Sequence, residues 1–248
     1  MPRPIPFFVF TVWAAVGLVV VPLGLKVPFG GWSDFLFLLF ASSVLLSDEI
    51  ALLGAKKAIF RFVAIAVVAG AAEWLGVTTG VLFGHYVYTA AWGPLLASTL
   101  PLSVPLAWYC LVLPLQRVVL GDLRPVVSVP LGAALLVVCD LVLDPVATLL
   151  RGYWTWPAGG PYYGVPLSNF VGWFITGLLV MGIATATAKG RMKGTRMRAR
   201  ALSVLGWTVG LFGLAAAVGG LWIPAVLGLP FLILAGVFFR PAWRSKNP

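Results

Sequence analysis

The chain has 248 residues, 61% of them hydrophobic and 10% charged, with a formal net charge of +10. A soluble domain of this length cannot bury so much apolar surface in one core, so lipid is the solvent for most of it. The excess charge does not point to nucleic acid as a partner, because the 17 Lys and Arg fall in the connections between apolar runs rather than on one basic face.

Runs long enough to cross about 30 Å of hydrocarbon at about 1.5 Å per residue recur along the whole chain. They predict an all-α, polytopic transmembrane helical bundle, a single domain over residues 1–248 with about eight spans. The spans are expected near Phe7 to Leu25, Phe35 to Leu53, Phe62 to Gly84 and Gly93 to Leu115, then Pro125 to Leu150, Val165 to Lys189, Ala201 to Val218 and Leu221 to Phe239. The first run follows one basic residue, Arg3, is too long for a signal-peptide core and lacks a small-x-small cleavage site, so it reads as an uncleaved span. Counted from the N-terminus, the connections hold 1, 1, 3, 0, 2, 1, 6, 0 and 3 Lys or Arg, so alternate connections carry 15 against 2. That asymmetry predicts an even number of spans in the cell membrane with both termini cytoplasmic.

The richest connection, Lys189 to Arg200 (KGRMKGTRMRAR), reads as a topology signal, with binding of anionic lipid or a partner protein as the alternative. The two connections assigned to the other side, HYVYTAAWG from His85 and GYWTWPAGGPYYG from Gly152, are nearly charge-free and crowded with Tyr and Trp. Such rings either anchor helix ends at the interface or serve a site.

Only seven acidic residues exist. Asp34 and Asp122 fall in connections and require no explanation, while Asp48 and Glu49 lie late in the second span, where Lys56, Lys57 or Arg61 can neutralise them. Glu73 is different: it falls near the middle of the third span, roughly at the bilayer centre, with Asp140 in the fifth span about 5 Å outward of it and Asp144 beyond. Burying an ionised carboxylate there costs about 3 kcal/mol or more, and no Lys or Arg lies at matching depth. Protonation, hydrogen-bond donors or a water-filled cavity must therefore relieve the cost; an interhelical hydrogen bond that only holds helices together is the plainer use.

Helical spacing indicates the direction of these groups. Gly76, Gly80 and Gly84 form a ridge of small residues three after Glu73, which predicts that Glu73 faces protein and that another backbone approaches closely. Asp140 and Asp144 are four apart on one face, and Pro145 removes a backbone donor where the helix is expected to bend around a cavity. Asn169 and Gly172 open the sixth span at the same level. No span carries a Lys for a Schiff base, and the single His85 with Cys110 and Cys139 in separate runs offers no metal site, disulfide or cofactor attachment.

The stretches AEWLGVTTGVLFGHYVYTAAWGPLL (Ala72 to Leu96), LPLSVPLAWY (Leu100 to Tyr109), DLVLDPVA (Asp140 to Ala147) and GYWTWPAGGPYYGVPLSNFVGW (Gly152 to Trp173) together resemble the CruF-type membrane carotenoid 1,2-hydratase family. The resemblance covers a core of about residues 70–180. It implies hydration of the C1,2 double bond of an acyclic ψ-end group, as in γ-carotene or lycopene, to a tertiary alcohol without a cofactor. The substrate would be a lipid-soluble carotenoid held in the bilayer, and association with other carotenoid-pathway enzymes is a further expectation. The positions matching the family's polar motif are Glu73, Thr79, Gly80, Tyr86, Tyr88, Asp140, Asp144, Pro145, Trp154, Trp156, Tyr163, Asn169 and Trp173. His85 stands where that family has no fixed residue.

This chemistry suits the polar layer. Hydrating a trisubstituted alkene needs a proton for one carbon, stabilisation of the tertiary cation on the other, and a held water. Glu73, Asp140 and Asp144 are the candidate catalytic group; Tyr86, Tyr88, Trp154, Trp156, Tyr163, Asn169 and Trp173 are the candidate substrate contacts. Two rival readings remain: a membrane lycopene cyclase, which starts from the same protonation, and a proton-coupled transporter, since intramembrane acids also mark proton paths. A prenyltransferase of the UbiA type needs two Asp-rich motifs, and only D-x-x-x-D at Asp140 and Asp144 is present.

Overall fold

A computed structural model of the chain describes residues 5–25, 29–119, 121–188 and 195–243. Residues 189–194 of the basic connection and both chain ends, 1–4 and 244–248, lie outside the described residues, so the expectations for the termini and for that segment are not addressed by the fold.

The fold is all-α. Among the described residues the helices are α1 (Ile5–Val20), α2 (Trp32–Leu53), α3 (Ala55–Thr79), α4 (Ser103–Pro114), α5 (Pro125–Val146), α6 (Leu167–Ala186), α7 (Thr195–Val218) and α8 (Trp222–Trp243). Six of them, α2, α3, α5 with its π-helical extension, α6, α7 and α8, are long and apolar enough to cross a membrane. The chain is therefore polytopic, and α1 at 16 residues and α4 at 12 are shorter than the spans predicted there.

The largest departure from the expected boundaries is around α3 and α4. Helix α3 starts seven residues before the predicted Phe62 and stops at Thr79, where Gly80 adopts φ 73° and takes the chain out of the helix. The anticipated glycine ridge is thus not a helix–helix seam. Only Gly76 is helical, and its bare face receives the rings of Phe83 and Tyr86 as the chain folds back; a Cβ there would lie 2.5 Å from Phe83 Cδ2. On the other side of the same ring, a Cβ at Gly172 of α6 would lie 2.6 Å from Phe83 Cδ1, so Phe83 is wedged between α3 and α6.

Residues 80–84, predicted to end the third span, and residues 93–102, predicted to begin the fourth, do not belong to α-helices. The chain between α3 and α4 runs through β1 (Val87–Tyr88), a 3₁₀ turn at Ala90–Trp92 and a small hairpin of β2 (Leu95–Leu96) and β3 (Leu100–Pro101). The two aromatic connections meet: β1 pairs antiparallel with β4 (Trp154–Thr155), setting Tyr88 opposite Trp154. Thr89 fastens the ribbon, its N–H to Tyr153 O at 2.9 Å and its hydroxyl to Gly152 O at 2.6 Å. Aromatic side chains suit such a pleated, half-buried surface, and the pairing gives backbone groups at the bundle end their hydrogen bonds.

Helix α5 continues through Pro145 to Val146 and then widens into a π-helical turn, Ala147–Arg151, ending at Gly152 with φ 61°. A helix that has lost a donor at proline accommodates the gap by such local rewinding. Helices α7 and α8 form a tight hairpin in which the backbones of Gly213 and Gly228 nearly touch, the close approach that small residues permit.

At the other end of the bundle is a buried ionic cluster. Glu49 pairs with Arg61 at 3.0 Å and Arg117 at 2.7 Å, and Asp48 pairs with Arg200 at 3.1 Å. Arg61 also donates to Gln116 Oε1 at 2.6 Å and to the Ala184 carbonyl at 2.8 Å, tying α2, α3, α6 and the π-helical turn Leu115–Val119 after α4 together. Arg61, one of the anticipated neighbours, is thus seen on Glu49. Arg61, Arg117 and Arg200, counted as loop charges from sequence, are buried within the bundle.

Candidate active site

At the ribbon-capped end, α2, α3, α4, α5, α6 and α7 enclose a cavity, and its walls include Glu73, Asp140, Asp144 and Asn169. The residues named from sequence thus meet, although Glu73 lies near the C-terminal end of α3 rather than at its middle, because that helix begins and ends earlier than predicted. Glu73 is held from three sides: its Oε2 accepts from Tyr86 Oη at 2.5 Å and Tyr88 Oη at 2.9 Å, and its Oε1 accepts from Trp108 Nε1 at 3.1 Å. Across the cavity, Asn169 Nδ2 donates to Asp140 Oδ2 at 2.7 Å and to Asp144 Oδ2 at 2.5 Å. One amide thus bridges two carboxyls that project from successive turns of α5.

Burial first, and then the Glu73 carboxyl beside them, push the phenols of Tyr86 and Tyr88 well above the ordinary tyrosine range. Both hydroxyls therefore stay protonated at any physiological pH and serve Glu73 as donors.

Aromatic rings supply most of the remaining wall. Trp108 and Trp173 stack with centroids 4.2 Å apart and planes at 20°. Tyr86 and Tyr88 meet edge to face at 5.2 Å, and Trp92 lies against Trp154 at 4.9 Å. Trp156 donates its indole N–H to Phe83 O at 3.2 Å, so it is anchored to the connection after α3 while lining the cavity.

Of the ten residues singled out from sequence, nine line this cavity. Tyr163 does not: it has φ 52°, and its hydroxyl accepts from Ile223 N–H at 3.5 Å on another side of the bundle. Thr79 spends its hydroxyl on Leu75 O at 2.6 Å at the helix end, and His85 is exposed with its ring against Gly80.

Two functional groups escaped the sequence reading. Trp108 lay within a quoted stretch and was assigned no role there. The available signal was its indole N–H, which needs an acceptor inside a span, and Glu73 is one of few at that depth. Asp34, assigned to a connection, instead sits in the first turn of α2 on the cavity wall, with its Oδ2 accepting from Tyr153 Oη at 2.7 Å. Burial and then the Asp34 carboxyl raise the Tyr153 phenol as well, which keeps it a donor.

Among the described lining residues there are thus four carboxyls and no Lys, Arg or His. Such a wall can hold and move protons, and it favours positive charge developing inside the cavity over negative charge.

Comparison with known proteins identifies the family. Residues 33–235 match the family model described as carotenoid biosynthesis protein. Bisanhydrobacterioruberin hydratase of Haloarcula japonica is 33% identical over 127 residues, which span 49% of this chain and 43% of that protein. The match thus covers less than half the length of that relative. No solved structure matches.

Proposed function

The chain belongs to the carotenoid biosynthesis protein family, and from that premise we propose that it adds water to the C1,2 double bond of an acyclic carotenoid end group. The observation that carries the reading is the cavity itself, with four carboxyls, a bridging amide, aromatic faces and no cationic side chain among its described walls. A relative that is a hydratase by name, similar over part of its length, supports water rather than an internal double bond as the trap.

The reaction balances with the residues present. A carboxyl proton goes to C2, and the π pair becomes the new C–H bond. The tertiary cation left on C1 is stabilised by the Glu73 carboxyl and by the faces of Trp108, Trp173 and the two tyrosines. Water then donates a lone pair to form the C–O bond, and its surplus proton passes to a carboxylate, restoring the site. No cofactor enters the balance.

The hydrogen bonds support a division of labour. Glu73, saturated by three donors, is the fixed negative partner of the cation and of the incoming water. Asp140 and Asp144, bridged by one amide, act as a pair that shares and exchanges the proton. The protein would work as a multi-pass protein of the cell membrane, because its substrate is dissolved in lipid.

The test is expression in a lycopene-producing host followed by pigment mass analysis. A product heavier by one water is expected. Unchanged mass with altered absorption would make the reaction a cyclisation, and unchanged pigment would refute an enzymatic role on this substrate.

A further inference from the structure

A rigid polyene is far longer than its end group, and the carboxyl cavity is closed on one side by the aromatic ribbon of β1 and β4. The rest of the molecule has to leave the site by another route. A second cavity lies between α1, α2, α7 and the end of α5, and it shares four wall residues with the first: Asp34, Phe37, Thr208 and Phe212. These are spaced i, i+3 on α2 and i, i+4 on α7, so each pair lies on one helix face and the two faces frame a slot between the cavities. Beyond the slot the walls are mostly apolar, with Trp13, Val16, Gly17 and Val20 from α1 facing Leu211 of α7. Gly17 makes room there: a Cβ on it would lie 3.0 Å from Leu211 Cδ1.

Of the two polar residues at the slot, Thr208 has a buried hydroxyl with no hydrogen-bond partner among the described residues, and Asp34 is occupied. Asp34 accepts from Tyr153 Oη at 2.7 Å, and Tyr153 Oη in turn accepts from Arg151 Nε at 3.0 Å. Phe37 and Phe212 are the slot residues left to contact an apolar rod. At its far end the cavity reaches the molecular surface, because Val16 and Phe29 both line it and are 53% and 62% exposed. On an apolar helix face, that surface meets lipid.

We propose that this second cavity is the binding channel for the polyene chain, which enters laterally from the bilayer beside α1 and passes between α2 and α7 to deliver its terminal alkene to Glu73, Asp140 and Asp144. The inference rests on the hydration reading for its substrate class, but binding and turnover separate the two experimentally.

The experiment isolates the full chain from lycopene-producing cells and measures lycopene retained per protein by visible absorbance, for the parent, Val16→Trp, Leu211→Trp and Glu73→Gln. Both cavity variants retain less lycopene by about tenfold, equivalent to roughly 1.4 kcal/mol of binding. Glu73→Gln retains it at the parental level without converting it. Leu211 is buried, so its replacement can disturb folding; Val16, at the exposed mouth, then decides alone. Cavity variants that insert at parental levels and hold lycopene within about twofold of the parent overturn the channel. A parent that holds neither lycopene nor its hydrated product overturns it outright, whereas a parent that holds lycopene unconverted overturns only the hydration reading.

Discussion

Replacing Glu73 by Gln removes one ionisable group and leaves the outline of the site almost intact. In the parent, Oε2 takes two hydroxyl donors and Oε1 takes the Trp108 indole N–H. A glutamine can set its carbonyl oxygen where Oε2 was, keeping both tyrosines, but its NH₂ then faces the Trp108 N–H. One buried donor loses its acceptor, a cost of about 1–3 kcal/mol, which a polytopic bundle should survive. The opposite flip strands two donors and is worse. Turnover should suffer much more than stability, because the group opposing the cation has lost its charge: at least about 100-fold, or about 2.7 kcal/mol in barrier. Trp108→Phe is the matched control. It deletes the same indole hydrogen bond and keeps a ring against Trp173, so it reproduces the stability loss with a rate loss within about tenfold. The assay is hydrated product per unit of inserted protein in the lycopene host. Glu73→Gln with turnover within about twofold of the parent would reduce Glu73 to a packing element and refute the mechanism.

Asp140→Asn and Asp144→Asn should each lower the same turnover by about two decades, with the double variant little worse than either, since the two carboxyls act as one proton-sharing unit; additive losses would separate their roles. Glu49→Leu leaves Arg61 and Arg117 buried without their shared carboxylate and should destabilise the bundle by about 3–5 kcal/mol. Thermal unfolding in detergent measures this, with activity per folded molecule near parental. For topology, Ser98→Cys and Thr195→Cys should react with a membrane-impermeant thiol reagent from opposite sides, over a low background because Cys110 and Cys139 are buried; access from one side only would overturn the positive-inside assignment.

The site was more legible than the backbone that carries it. Depth and spacing were enough to place Glu73, Asp140, Asp144 and Asn169 in one layer, because a helix converts residue number into height and direction almost linearly. Where the chain leaves the helix, that conversion fails. Residues 80–84 and 93–102 read as span ends, yet Gly80 and Gly84 at positive φ take the chain out of the helix into a ribbon and hairpin, and hydropathy is blind to that difference. The same blindness hid the meeting of Tyr88 with Trp154, which depends on long-range strand pairing rather than local pattern. Tyr163 misled for a related reason: it lies between Trp156 and Asn169, which both line the cavity, but in an irregular loop position in sequence does not fix direction. Charge counting met a different limit, since Arg61, Arg117 and Arg200 mark a side of the membrane while being buried in a cluster with Glu49 and Asp48.

The two buried polar layers solve one electrostatic problem in opposite ways, and the contrast bears on function. At one end, Glu49 and Asp48 are matched by three arginines, so charge is compensated by fixed cations and the assembly has no reason to exchange protons. At the other, Glu73, Asp140 and Asp144 share a cavity that no described cationic side chain lines, and compensation falls to N–H and O–H donors and to protons themselves. An arginine there would have stabilised the carboxyls more simply and would have repelled the carbocation that alkene protonation creates. Withholding cations costs stability but leaves the cavity able to donate a proton, tolerate a positive intermediate and recover the proton from water. That trade suits the hydration proposed for this site, which makes a tertiary cation inside a bilayer, and it has no counterpart in the arginine-filled layer.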